Sequence, residues 1–140
     1  MTSDSLAFLL RLQQATNDHD LDALVDCFDP EYRNDAPAHP SRAFEGTDQV
    51  RSNWQQIFRF VPNVQARVLS HVVDGSDVWS EWEMSGTRAD GTPHLMRGVI
   101  VFGVRGERAL SARFYLEPVD DARTTADDAV RAQVRAGTSP

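Results

Sequence analysis

The stretch VWSEWEMSG, residues 78–86, decides how the rest of the chain is read. β-Branched and aromatic residues dominate it, and charge alternates with bulk, which is the pattern of a strand with two unlike faces. One face carries Glu81 and Glu83, the other Trp82 and Met84. Paired carboxylates can do acid–base work, whereas Trp82 and Met84 suit an apolar core or pocket. Which pair looks inward therefore separates two kinds of protein.

Working outward, this strand is one of four β runs, at 63–73, 77–88, 94–104 and 109–118, separated by DGS, ADGTP and RGER. These are turn compositions, and their close spacing predicts an antiparallel meander. Upstream the period changes to that of helices. Residues 5–17 read as a helix with Ser3 or Asp4 as cap, one face marked by Leu6, Leu9, Leu10 and Gln13, and an adjoining one by Phe8, Leu12 and Ala15. NDHD breaks it, and Asp20 can cap a second helix bearing Leu21, Leu24, Val25 and Phe28, which Pro30 ends. A short strand at 31–36 and a Pro-rich loop follow. A third helix over 47–61 places Val50, Trp54, Ile57, Phe58 and Val61 on one side. Downstream, Thr125 as cap, Asp127 and Asp128 early, Arg131 and Arg135 late, and Gly137 beyond them predict a last helix with a thin apolar stripe of Val130 and Val134. Helices followed by a meander give an α+β fold, with the helices packed on one face of a curved sheet.

Side chains alternate across a strand, so turn lengths fix which residues share a face. With DGS as a three-residue loop, and the other turns set likewise, one parity stays on one side throughout. Val64, Ala66, Val68, Val72, Val78, Trp82, Met84, Ile100, Phe102, Val104, Leu110, Phe114 and Leu116 are then together, and this apolar set must face the helices. Arg67, His71, Glu81, Glu83, Arg97, Arg113, Tyr115 and Glu117 face away, with Arg67 opposite Glu83 and Arg97 opposite Glu117. One inward row reads Val68, Trp82, Ile100, Phe114, and the next Ala66, Met84, Gly98, Leu116. Gly98 and Ala66 would leave space beside large neighbours, so the concave side is expected to hold a pocket. The outer face also carries Leu69, Trp79, Val99, Val101 and Tyr115, an apolar patch that predicts a homodimer through that surface.

The net charge is −7 and no basic stripe exists, which argues against nucleic acid and anionic membranes as partners. No segment approaches the roughly 18 apolar residues of a membrane span. MTSDS has no basic run before an apolar core, and the single Cys27 cannot form an intramolecular disulfide, so a reduced cytoplasm is expected. All 14 basic residues are arginine, which suggests a GC-rich bacterial genome. No Gly-rich phosphate loop, Walker motif or zinc spacing occurs, so neither cofactor nor metal is expected.

The segments NDHDLDALVDCFDPEYRNDAP, FEGTDQVRSNW, DVWSEWEMSGT, GVIVFGV and FYLEPV resemble the SnoaL-like family of the nuclear transport factor 2-like superfamily. The resemblance runs over about residues 6–119, and leaves 120–140 as a helical tail. It implies a cone-shaped α+β barrel. The superfamily holds ketosteroid isomerases, polyketide cyclases, limonene-epoxide hydrolases, dehydratases and non-catalytic binders, so fold alone chooses no activity. By this similarity the isomerase residues fall on Leu12, Ala36 and Ile100. The hydrolase arginine and aspartates fall on Trp82, Met84 and Phe114, and its water-holding pair on Asn34 and Ala36. The cyclase aspartate belongs in the last strand, where the inward residues are Ala112, Phe114 and Leu116. None of these carries the family's proton chemistry.

Two readings follow. In the first, the protein binds a small hydrophobic molecule, polyketide-, terpene- or steroid-like, in a cavity bounded by Leu12, Asn34, Trp54, Phe58, Trp82, Met84, Ile100, Phe102 and Phe114. In the second, it is a cyclase, isomerase or hydrolase with an unfamiliar polar site around Asn34, Tyr32 or His39. Asn34 and Tyr32 have inward parity on the first strand, and a buried asparagine needs partners. His39, in PAHP, can stand at the cavity mouth or in an exposed loop. His19 between Asp18 and Asp20 reads as a turn and cap, not a metal site.

Overall fold

A computed structural model describes residues 4–136. Helices α1 (Asp4–Asn17) and α2 (Leu21–Asp26) lead into β1 (Phe28–Asp35). A 3-10 turn (Pro40–Arg42), the short β2 (Phe44–Glu45) and α3 (Asp48–Phe60) follow. The chain continues as β3 (Gln65–Asp74), β4 (Asp77–Thr87), β5 (Pro93–Arg105), β6 (Arg108–Pro118) and α4 (Ala126–Ala136). One curved sheet has the order β2-β1-β6-β5-β4-β3. Its right-hand part is the expected antiparallel meander, and β1 joins β6 in parallel. The core lies between the sheet and the helices, and Phe8, Leu12, Trp82, Ile100 and Phe102 belong to it.

The parity argument holds for β4, where Val78, Ser80, Trp82 and Met84 are buried and Glu81 faces solvent. It fails locally at two bulges, and the hairpin turns explain why. Gly75 at φ 60° and Gly106 at φ 63° permit two-residue turns, so Asp74 pairs with Asp77 and Arg105 with Arg108. Each tight turn moves the register by one. A bulge between Val68 and Ser70, and another beside Leu110, restore it where the core demands it. Val72, expected inward, therefore lies outside opposite Trp79 and is 64% exposed, while His71, expected outside, pairs with Ser80. Likewise Ala109 takes the buried position expected of Leu110.

Between β4 and β5 the pairing is offset by two residues from the expected one. Trp82 faces Gly98, and Ile100 stands between Ser80 and Phe114. Asp90 accepts hydrogen bonds from the Thr92 amide (3.0 Å) and hydroxyl (2.6 Å) in a turn that starts one residue earlier than expected, with Thr87 opposite Pro93, so parity is unchanged. Nor does Gly98 leave room: its φ is +150°, and a Cβ there would lie 2.8 Å from Leu116 Cα. The β6 backbone fills that space.

Two helical expectations also change. The buried stripe of α1 is Ser5, Phe8, Leu9, Leu12, Ala15 and Thr16, whereas Leu10 is 54% exposed. Helix α2 stops at Asp26, not at Pro30: Asp20 caps it by accepting from Ala23 N (3.1 Å), and Phe28 already opens β1. Pro30 sits where β1 loses register against β6, the place a strand tolerates a missing N–H. Thr125 caps α4 as expected, accepting from Asp128 N at 3.2 Å, and Val130 and Val134 stay exposed. Ser3 and Gly137 lie outside the described residues.

The far side of β3 is a sheet edge, and α1 closes part of it. Asn17 both donates to Ala66 O (2.9 Å) and accepts from Ala66 N (2.7 Å), and Gln13 Oε1 accepts from Val68 N (2.7 Å). His19, with φ 55°, donates from Nε2 to Val64 O (2.7 Å) and stacks on Phe58, so it is a structural turn residue.

Candidate functional site

The narrow end of the cone is filled. Phe8 meets Phe102 edge-on at 4.8 Å, and Leu12, Trp82 and Ile100 close around them. Trp82 Nε1 donates to Ser80 Oγ (2.8 Å), which donates to Ile100 O (2.7 Å), so the buried polar atoms there are matched.

Toward the wide end a cavity of about 260 Å³ remains. Beginning with β1 and its following loop, Asn34, Ala36, His39, Arg42 and Phe44 form one wall; α3 adds Asn53, Trp54 and Ile57. The sheet contributes Met84, Met96, Phe114, Leu116 and Glu117. Of the residues expected to bound a pocket, the structure brings together Asn34, Trp54, Met84 and Phe114 here. Leu12, Trp82, Ile100 and Phe102 lie in the packed core instead. Phe58 packs beside Trp54 (5.5 Å) and His19 (4.8 Å).

Tyr32 is 1% exposed, and its hydroxyl donates to Asn34 Oδ1 at 2.6 Å. Burial pushes the phenol far above its ordinary range, so it remains a donor. Were the amide turned over, the buried Tyr32 O–H would lose its acceptor. Asn34 therefore keeps Nδ2 free, and no partner for it occurs among the described residues.

His39 Nε2 donates to Glu117 Oε1 at 2.7 Å. The loop presents His39 by two backbone bonds, from His39 N to Ala36 O (2.7 Å) and from Arg42 N to His39 O (2.9 Å), with Pro40 opening the 3-10 turn. Glu117 was expected outside, joined to Arg97. The two are indeed register partners, yet Arg97 Nε bonds Glu83 (2.9 Å), which Arg67 also grips (3.1 Å). One residue from the end of β6, Glu117 reaches His39 instead. A contact across 78 positions leaves no local sequence signal. Arg42, Asn53 and Met96 also escaped sequence reasoning, the first two because they are polar residues in a loop and on a helix flank.

Elsewhere titratable groups look structural. Burial pushes the Cys27 thiol up to about 11, which makes it unreactive. His94 is lowered, first by burial and then by Arg88. Among the described residues no cluster of three or more His, Cys, Asp or Glu side chains could hold a metal. No described helix is long and apolar enough to cross a membrane.

On the outer face Leu69, Val72, Trp79 and Tyr115 are exposed, and Arg113 lies over the Trp79 ring at 5.6 Å. Val101, expected to be exposed there, is buried between its register neighbours Trp79 and Arg113.

A curved six-stranded sheet closed by helices around an apolar end cavity defines the nuclear transport factor 2-like cone fold. Within it the chain belongs to the SnoaL-like domain family, whose profile matches residues 9–112. A nuclear transport factor 2-like protein of unknown function from Burkholderia pseudomallei superposes with a TM-score of 0.70 at 14% identity, covering 94% of this chain and 97% of that one. A Bacillus subtilis protein proposed to be an isomerase gives 0.72 at 14% identity, covering 81% and 86%. A Shewanella denitrificans protein proposed to be a SnoaL-like polyketide cyclase gives 0.65 at 12%, covering 79% and 88%. At such identities the likeness is one of fold. No protein of curated function matches in sequence.

Proposed function

We propose that the protein binds a small, largely apolar molecule in the cavity between α3 and the sheet. The observation that carries this is the cavity itself: about 260 Å³, walled by Trp54, Ile57, Met84 and Phe114, with the Asn34 amide in its lining. That volume is below the roughly 300–1,000 Å³ of drug-sized sites, so the ligand is small. The positions where the family resemblance puts catalytic carboxylates hold Ala36, Met84, Ile100 and Phe114, which supports binding over the familiar chemistries. Calorimetric titration with small aromatic amides and ketones tests the reading, with Met84→Trp as a cavity-filling control. Binding by the native protein that Met84→Trp abolishes is expected; no binding at millimolar ligand, or equal binding by the variant, refutes it.

A second reading, catalysis, is favoured by the His39–Glu117 contact. Glu117 bonds His39 Nε2 and so orients the imidazole in the cavity lining, the arrangement of a general base with its orienting carboxylate. His39→Gln should then abolish turnover of a bound ligand while leaving its affinity within about threefold.

The outer patch of Leu69, Val72, Trp79 and Tyr115 supports a homodimer, since an apolar, aromatic centre ringed by arginine suits association. Light scattering should give twice the chain mass, and Trp79→Glu should shift it toward one; a monomeric native protein refutes the pairing. The all-arginine cation set and the lone buried thiol support a bacterial, cytoplasmic protein.

A further inference from the structure

The polar atoms of the cavity are unequal in kind. Its side-chain acceptors are largely matched within the protein: Asn34 Oδ1 by Tyr32 O–H (2.6 Å), Asn53 Oδ1 by Gln49 Nε2 (2.7 Å), and Glu117 Oε1 by His39 (2.7 Å). The donors are not. Asn34 and Asn53 each keep an Nδ2 without a partner among the described residues, and so does the Arg42 guanidinium.

Arg42 stands apart from most of the arginines. Arg33, Arg51, Arg67, Arg97, Arg105 and Arg108 each meet a carboxylate, and Arg59 and Arg113 each lie over a ring. Arg42 has neither, although the chain carries 21 acidic residues and a net charge of −7. Its place is fixed by the 3-10 turn, through Ala43 N to Pro40 O (3.2 Å), in the cavity lining that also holds Asn53. The one carboxylate in that lining, Glu117, is engaged with His39.

We propose that the cavity is built for a small apolar carboxylic acid, its carboxylate held by Arg42 and Asn53 and its apolar body against Trp54 and Phe114. This rests on the binding function proposed above and adds the chemical class of the ligand. A guanidinium donates to both oxygens of a carboxylate at once, a charge-assisted pairing that a neutral amide head group cannot reproduce. An amine would meet unpaired donors and an uncompensated positive charge.

The test uses the full chain and three probes that differ only at the head group: phenylbutyrate, its primary amide, and phenylbutylamine. In calorimetric titrations at neutral pH the acid should bind about tenfold tighter than the amide, and the amine weakest. Added salt should weaken the acid and leave the amide unchanged. Arg42→Gln should bring acid and amide within about twofold of each other, chiefly by weakening the acid, while Arg42→Lys keeps an anion preference. Circular dichroism verifies that both variants fold. Equal binding of acid and amide to the native protein, or a preference that survives Arg42→Gln, overturns the anion assignment and leaves the cavity's binding role standing. Failure of all three probes to bind overturns both.

Discussion

Tyr32→Phe isolates one hydrogen bond in the wall of the cavity. Tyr32 is 1% exposed and packs edge-on against Phe28 (4.8 Å), and its hydroxyl has a single partner, Asn34 Oδ1. Phenylalanine keeps the ring and the apolar contacts, so no cavity larger than one oxygen is created. The cost is then the net worth of one neutral hydrogen bond, about 0.5–1.5 kcal/mol. The larger penalty of an orphaned acceptor, about 1–3 kcal/mol, is avoided because Asn34 borders the cavity and can be wetted or turned. For a domain of this size that corresponds to a melting temperature lower by about 2–5 °C. A second consequence concerns recognition. Without the phenol Asn34 can present either its oxygen or its nitrogen, so phenylbutanol should gain affinity relative to phenylbutanone. Urea unfolding gives the first number and paired titrations the second. A loss above about 3 kcal/mol would mean a rigid, dry Asn34; an unchanged alcohol-to-ketone ratio would mean that Asn34 is not turned toward the ligand. Either result refutes the reasoning.

Ser80→Ala should cost about 1–3 kcal/mol in urea unfolding, because the buried Trp82 Nε1–H loses its acceptor; a change near zero would contradict the described network. Gly98→Ala should lose at least about 2 kcal/mol or fail to fold, since the new Cβ combines a φ of +150° with a collision against the β6 backbone. Asp29 is held below its ordinary value of 3.8, first by the Glu31 amide and then by Arg105. A depressed carboxyl stabilises the fold above its unfolded value and loses that contribution as pH falls through the folded one. The stability gap between the native protein and Asp29→Asn should therefore be widest at neutral pH and shrink below pH 3.8; a gap independent of pH refutes the pairing.

The sheet was legible because parity is a long-range rule: a run such as VWSEWEMSG has one apolar side, and burial of that side sets the whole meander. The bulges beside Val68 and Leu110 were not, because they follow from a turn choice made at Gly75 and Gly106, and a loop of two residues and one of three have the same composition. Pro30 misled because proline ends a helix and also tolerates an irregular strand. The stripe of α1 was shifted because two apolar faces were offered and only tertiary packing selects between them. The cavity was half legible. Asn34, Trp54, Met84 and Phe114 follow from alternation and helical period. His39, Arg42 and Glu117 come together only when a Pro-rich loop folds over the end of β6, which neither period reports.

The clasp between α1 and β3 has a bearing on how the protein survives in a crowded solution. An edge strand is a template on which another chain can grow, since its outward N–H and C=O groups seek partners. Along Val64, Ala66 and Val68 those groups are already taken by His19, Asn17 and Gln13. Past the bulge the rim from Ser70 to Asp74 is exposed, and there the kink and the short remaining length are the defence. The N-terminal helix is thus a guard as well as half of the core. Until it docks, a nascent or heated chain offers Val-rich β3 at its full length to any neighbour, so resistance to aggregation rests on three amide- and imidazole-bearing side chains that touch neither cavity nor ligand.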